Sequence, residues 1–305
     1  MKSEHLRNAE AQSRGTGMQI TTQGQRHLGA PLGSKSFVEE FVHAKVSVWV
    51  SEIKSLSETA SSQLQAAYAT LTYGIMSRQT HLMRTVHGID NLFQPLEDEI
   101  RRRFLPALTG REAPSDAERE LIALPARQGG LGIPIPTRIA SWQFTRSVEI
   151  TAPLVGLIAQ QSPQYSAVAQ ARQKGAKAAV RSRNISNTTK DADALKPRLS
   201  KVKQMAMEQA SETGTSSWLT TIPMLRYGYN LNKQAFTDAL CLRFGWTPTR
   251  LPQHCSCGHP FSVDHALSCP KGAMPSIREN SIRDITAELL TEVCPNVALS
   301  PHFNP

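Results

Sequence analysis

The sequence is short of aromatic residues, of long apolar runs and of adjacent aspartates, and each shortage removes a class of function. Aromatic residues make up 6% of the 305 residues, so the core has to be built mostly from Leu, Ile, Val, Ala and Met. No run of about 18 apolar residues occurs, so no helix of the sequence is expected to span a membrane. The polar stretch from Met1 to Gln25 lacks the apolar segment of a secretory signal. The five cysteines, at positions 241, 255, 257, 269 and 294, are odd in number, which excludes a fully paired disulfide framework. Without a signal segment they point to a reducing, intracellular compartment, nuclear or cytoplasmic. No Ser/His/Asp, Cys/His or paired-carboxylate arrangement stands out, and no small-molecule substrate is indicated.

What is present is an ordinary globular balance, 40% hydrophobic and 19% charged, with one uneven feature. Of the formal net charge of +9, a window from Ala171 to Lys203 supplies most, with ten Lys/Arg against two acidic residues. Such a block favours a polyanion, because every phosphate contacted releases condensed counterions. It also fits a solvated basic linker, and both readings stand.

Hydrophobic spacing predicts mostly helix. A short hairpin is expected first, with Met18 to Thr22 as one strand, a turn at Gln23–Gln25 and a return from Arg26 to Ala30. From Ser36, read as an N-cap, Phe37, Phe41, Val42, Val46, Val48, Trp49, Ile53 and Leu56 recur at helical spacing. Further helices are expected at about 62–84, 89–108, 139–157, 232–244 and 275–293. Between Ala123 and Pro136 lie three glycines and three prolines. Neither a preceding strand nor a following Lys-Ser/Thr makes these a phosphate loop, so close backbone packing is the better explanation.

The string from His254 to Cys269 (HCSCGHPFSVDHALSC) carries the clearest chemistry. Cys255 and Cys257 can clamp a metal from one side. His265 and Cys269, four apart on a helical turn, face the same way and complete a tetrahedral N/S set. One structural Zn2+ is expected on Cys255, Cys257, His265 and Cys269, with His259 or His254 as possible replacements and an apolar thiol cluster as the alternative. Cys241 reads as core and Cys294 as a free thiol.

Several stretches resemble the reverse transcriptases of non-LTR retroelements. The run Gly24 to Gly33 (GQRHLGAPLG) is similar to the strand pair after the polymerase palm, which makes Leu28 and Gly29 primer-grip-like. The helical run from Phe37, with Tyr73 near the end of its second helix, resembles their thumb. Leu124 to Ile133 (LPARQGGLGI) resembles an LP-x-x-x-GGLG stretch of their C-terminal parts, and the Cys/His string their finger. Arg278 to Asp284 (RENSIRD) looks like the helix leading into a downstream endonuclease. The carboxylates for two Mg2+ ions are missing: no Asp-Asp pair occurs. The one Glu-x-Lys triplet, Glu52 to Lys54, lies in an expected helix.

The resulting expectation is a mainly α fold, a helical thumb-like bundle with a short N-terminal β-hairpin and a small C-terminal zinc-finger subdomain. Its parts would be a disordered 1–17, a palm-edge hairpin 18–34, a thumb-like domain 35–159, a basic connector 160–215, and 216–305 with the finger and a truncated endonuclease-like start. It would bind RNA or DNA through Arg172, Lys174, Lys177, Arg181, Arg183, Lys201 and Lys203, without a polymerase or nuclease centre. A helical scaffold with a purely structural zinc is the alternative. Lacking a palm, Phe37, Trp49 and Tyr68 are expected to lose part of their cover.

Overall fold

The computed structural model describes residues 2–18, 20–161, 167–249, 251–272, 274–294 and 297–298. The chain divides into two compact units, one ending at Thr247 and one starting at Pro248. It is mainly helical, with a two-stranded hairpin near the N-terminus.

Helix α1 (Lys2–Ser13) occupies the stretch expected to lack order. The hairpin pairs β1 (Gly24–His27) with β2 (Ala30–Gly33). The turn therefore lies at Leu28-Gly29, a few residues beyond the expected one. The reason is twist: a two-residue hairpin loop needs left-handed backbone at both positions, and Leu28 and Gly29 have φ of +46° and +88°. Of the strand expected at 18–22, Gln19 lies outside the described residues and the segment 20–22 is not extended into the sheet.

Helix α2 (Lys35–Ala60) starts two residues earlier than Ser36 implies, because the Ser34 hydroxyl accepts from the Phe37 N–H and caps it. Its buried stripe, Val42, Val46, Trp49, Ile53, Leu56 and Ala60, advances in alternating steps of four and three, which leaves Val48, expected in the series, off the stripe and exposed. Trp49 and Tyr68 are 6% and 5% exposed, so the expected loss of cover does not occur at either; Phe37 is half-buried. Trp49 stacks on Phe93 with centroids 6.2 Å apart.

Two bent helical runs pack on α2. The first joins α3 (Leu64–Ala69), a π-helical turn Thr70–Ile75 and α4 (Met76–Thr85). The second joins a 3-10 turn Asp90–Phe93, α5 (Gln94–Glu99), a π-helical turn Ile100–Phe104 and α6 (Leu105–Thr109). The wider π turns rephase the apolar stripe, so that Leu71 and Ile75, then Ile100 and Phe104, all stay inside.

After α7 (Asp116–Ala123), opened by a Ser115/Glu118 capping box, the Gly/Pro-rich segment crosses the interior with no ladder of its own. Buried carbonyls without partners are costly, and side chains from three other elements take them. Arg119 donates to the carbonyls of Ile133 at 2.7 Å and Pro134 at 3.0 Å, and to both carboxylate oxygens of Glu97 at 2.7 and 2.8 Å. Arg243 donates to Ala126 O at 2.6 Å and Gly130 O at 2.9 Å, and the Tyr68 hydroxyl to Leu131 O at 2.7 Å. Burial lowers the Arg243 pKa and raises that of Tyr68. Gly130 has to be glycine, since a Cβ there would lie 2.0 Å from Leu124 O.

Helices α8 (Pro136–Ala159) and α9 (Ala167–Leu195) run side by side, and α10 (Lys201–Ser211) covers the Gly-rich turn. The stretch expected to be a connector is therefore integral to the first unit, burying Ala169, Val180, Leu195, Ala206 and Met207; residues 162–166 lie outside the described ones. Helices α11 (Ser217–Thr220) and α12 (Lys233–Phe244) also belong to this unit, so its boundary falls at 247 rather than 215. α12 has the expected form, with an Asn232 cap, Phe236, Leu240 and Phe244 buried, and Gly245 ending it. The second unit contains α13 (Val263–Ser268) and α14 (Met274–Thr291).

The Glu97–Arg119 pair is 6% and 2% exposed, so removing one partner strands a buried charge. Arg119→Met should lower the unfolding free energy by about 3–5 kcal/mol in urea titration, and Glu97→Met/Arg119→Met should regain part of the loss. An Arg119→Met protein within about 1 kcal/mol of the native one would contradict this account of the loop.

Candidate metal centre and basic face

The Cys/His string folds locally before any metal is invoked. Cys255 N–H donates to His259 O at 2.9 Å, Gly258 N–H to Cys255 O at 2.8 Å and Phe261 N–H to Gln253 O at 3.0 Å. These bonds curl 253–261 into a knuckle, with Gly258 at φ +89° supplying the left-handed step. Ser262 caps α13 by accepting from His265 N–H at 3.0 Å. Cys269 follows the last turn, its N–H bonded to His265 O at 2.8 Å.

Four side chains converge. Ligand atoms of Cys255, Cys257, His265 and Cys269 all lie within 4.8 Å of one another, a group that could hold a metal ion. The Cys255 and Cys269 sulfurs are 3.7 Å apart and the Cys257 sulfur is 3.1 Å from His265 Nε2. Two thiolates bound tetrahedrally at about 2.3 Å would be separated by about 3.8 Å, so the sulfur spacing fits. His259 Nδ1 is 3.4 Å from the Cys257 sulfur but stands outside the four-residue group, and His254 is engaged in a bridge to Pro260. The Cys257 backbone N–H, helped by the Ser256 hydroxyl, Cys269 and His265, pulls the Cys255 thiol down to about 6. A thiolate at neutral pH is the form that binds metal. Cys241 is buried and Cys294 exposed.

The basic residues separate into two sets. Lys174, Lys177 and Arg181, spaced i, i+3, i+7 on α9, are exposed on one face and make no ion pair among the described residues. Arg172 and Lys201 are exposed as well. Lys203 is committed to the fold, donating to Glu118 at 2.6 Å and so joining α10 to α7. Arg183 pairs with Glu149 of α8. That pair draws in two arginines that sequence spacing did not single out. Arg146 of α8 lies over the Trp142 ring, 3.8 Å from its centroid, and Arg84 of α4 donates to Gln143 at 3.1 Å. Burial lowers the Arg146 pKa, and the charges of Arg183 and Arg84 lower it further. Three helices contribute one arginine each, which is why no local motif reveals the cluster. Leu28 and Gly29 form an exposed turn whose Leu28 carbonyl is 3.2 Å from His81 Nε2.

No protein-family model, curated protein or solved structure matches the chain. Among the described residues no helix is long and apolar enough to cross a membrane.

One metal equivalent per chain is expected by native mass spectrometry. Cys269→Ser should abolish it and His259→Ala should keep it. Apparent metal affinity should fall as pH is lowered, because protons compete with the metal for the thiolates and the imidazole. A metal retained by Cys269→Ser and lost by His259→Ala would overturn the assigned ligand set.

Proposed function

We propose that this chain is a nucleic-acid-binding module, the thumb-and-finger portion of a protein of the non-LTR reverse transcriptase type, acting by binding without a polymerase or nuclease centre of its own. The observation that carries this reading is the exposed row Lys174, Lys177 and Arg181 on α9, three cations without acidic partners among the described residues. Cations at that spacing track a phosphate backbone without reading sequence. In this reading the helices up to α8 correspond to the thumb, and Leu28-Gly29 to a grip on a primer end. The metal is one structural Zn2+, because three thiolates and an imidazole suit zinc and leave no open position for chemistry. It stabilises a finger that adds shape preference. Arg172, Arg183 and Lys201 extend the basic surface.

A second reading has a specific observation behind it. Lys196, Arg198 and Lys203 pair with Glu208, Glu120 and Glu118, so part of the basic block serves packing, as in a helical scaffold protein. A salt titration separates the two. Between about 50 and 200 mM salt, native protein should lose affinity for a DNA or RNA oligonucleotide steeply, and Lys174→Gln/Lys177→Gln/Arg181→Gln should flatten the log–log slope by about 2–3. Absent binding, or a slope unchanged by the triple substitution, would leave the scaffold reading.

A further inference from the structure

Beside the arginine cluster lies a cavity of about 630 Å³, between α7, α8, α9 and the Gly-rich segment. Its walls are mostly apolar, including Leu124, Pro134, Ile139 and Leu195. This size and lining are typical of a site for a small organic group. Two residues belong to the cavity and the cluster at once. Trp142 lines the cavity while its ring carries Arg146, and Gln143 lines it while accepting from Arg84. Asp191, exposed and without an ion pair among the described residues, is also in the lining. Arg138 and Arg198, also in the lining, are both held by Glu120, so their charges are already matched.

An apolar slot flanked by an indole, with cations on its Trp142 and Gln143 walls and a carboxylate without an ion pair in its lining, matches one chemistry. We infer that the α7–α8–α9 cavity takes up an unpaired nucleobase of a single strand, whose adjoining phosphates are held by Arg84 and Arg146, Arg183 being already matched by Glu149. The base lies against Trp142 and the apolar wall, and Asp191 accepts from its N–H groups. A base's flat face removes water from the wall, and guanidinium groups hold phosphate oxygens through paired N–H donors. Duplex DNA cannot offer its bases this way, so the cavity confers a preference for single strands. This rests on the nucleic-acid reading above and adds a strand preference to it.

The test titrates the full chain with a single-stranded oligonucleotide carrying 2-aminopurine, a base whose fluorescence reports stacking, and with the matching duplex. Native protein should quench the probe and bind the single strand at least about tenfold tighter than the duplex. Ala194→Trp, at an exposed α9 position in the cavity lining, should fill the slot, remove the quenching and equalise the two affinities with the salt slope kept. Thr188→Phe, a second filler, should act in the same direction, and circular dichroism with thermal melting selects whichever variant keeps the native fold. Arg146→Gln should weaken both ligands. Equal affinity of native protein for both strands, or quenching that survives a folded filler variant, would overturn the cavity assignment while leaving backbone binding intact. Absence of binding to either oligonucleotide would overturn the nucleic-acid reading and this inference together.

Discussion

The first unit depends on how a stretch of irregular backbone is kept inside a helical protein. The segment from Leu124 to Ile135 has no ladder to satisfy its carbonyls, and five of them are met by Arg243, Tyr68 and Arg119. Each bond ties the segment to a different part of the chain: α12, the α3 run, and, through Glu97, the α5 run. A hydrogen bond in this setting contributes about 1 kcal/mol net, but an orphaned donor or acceptor costs about 1–3. The arrangement therefore behaves as a unit. Loss of the Arg119 guanidinium removes the side-chain donor of two carbonyls, those of Ile133 and Pro134, together with the partner of the Glu97 carboxylate. Loss of Arg243 removes the side-chain donor of the Gly130 carbonyl.

From that anchor the rest of the unit takes its place. The segment ends at Pro136, which opens α8, and α8 then lies between α4 and α9. Because α8 separates those two helices, its outer residues Trp142, Gln143, Arg146 and Glu149 meet Arg84 from one side and Arg183 from the other. The cavity below Trp142 exists because the Gly-rich segment and α7 close its floor. Backbone packing and a charged, concave surface are thus consequences of the same placement.

Much of this was legible in the sequence where the signal is local. The stripe of α2, the Asn232–Gly245 limits of α12 and the convergence of Cys255, Cys257, His265 and Cys269 into a group that could hold a metal ion all follow from spacing, because helical period and chelate geometry act within a few residues. The Gly/Pro run reads as close packing from its composition, but its partners Arg119 and Arg243 do not show in the sequence, since nothing local marks an arginine as buried. The stretch 160–215 reads as a connector because its composition is polar. Small Ala faces such as Ala169, Ala192 and Ala206 nevertheless let α9 and α10 approach closely enough to be buried. The hairpin turn moved to Leu28-Gly29 because backbone twist decides turn position more strongly than the Gly24 that sequence reading favoured. The arginine cluster was invisible for the same reason as the buried arginines: Arg84, Arg146 and Arg183 come together only in three dimensions.

The central claim is that nucleic acid lies along the face made by α8 and α9. Photo-crosslinking of a single-stranded oligonucleotide to the full chain, followed by peptide mapping, addresses it without altering any residue. The account predicts crosslinks concentrated in 138–149 and 172–194, with Trp142 among them. Crosslinks confined to the second unit, or spread evenly along the chain, would contradict it.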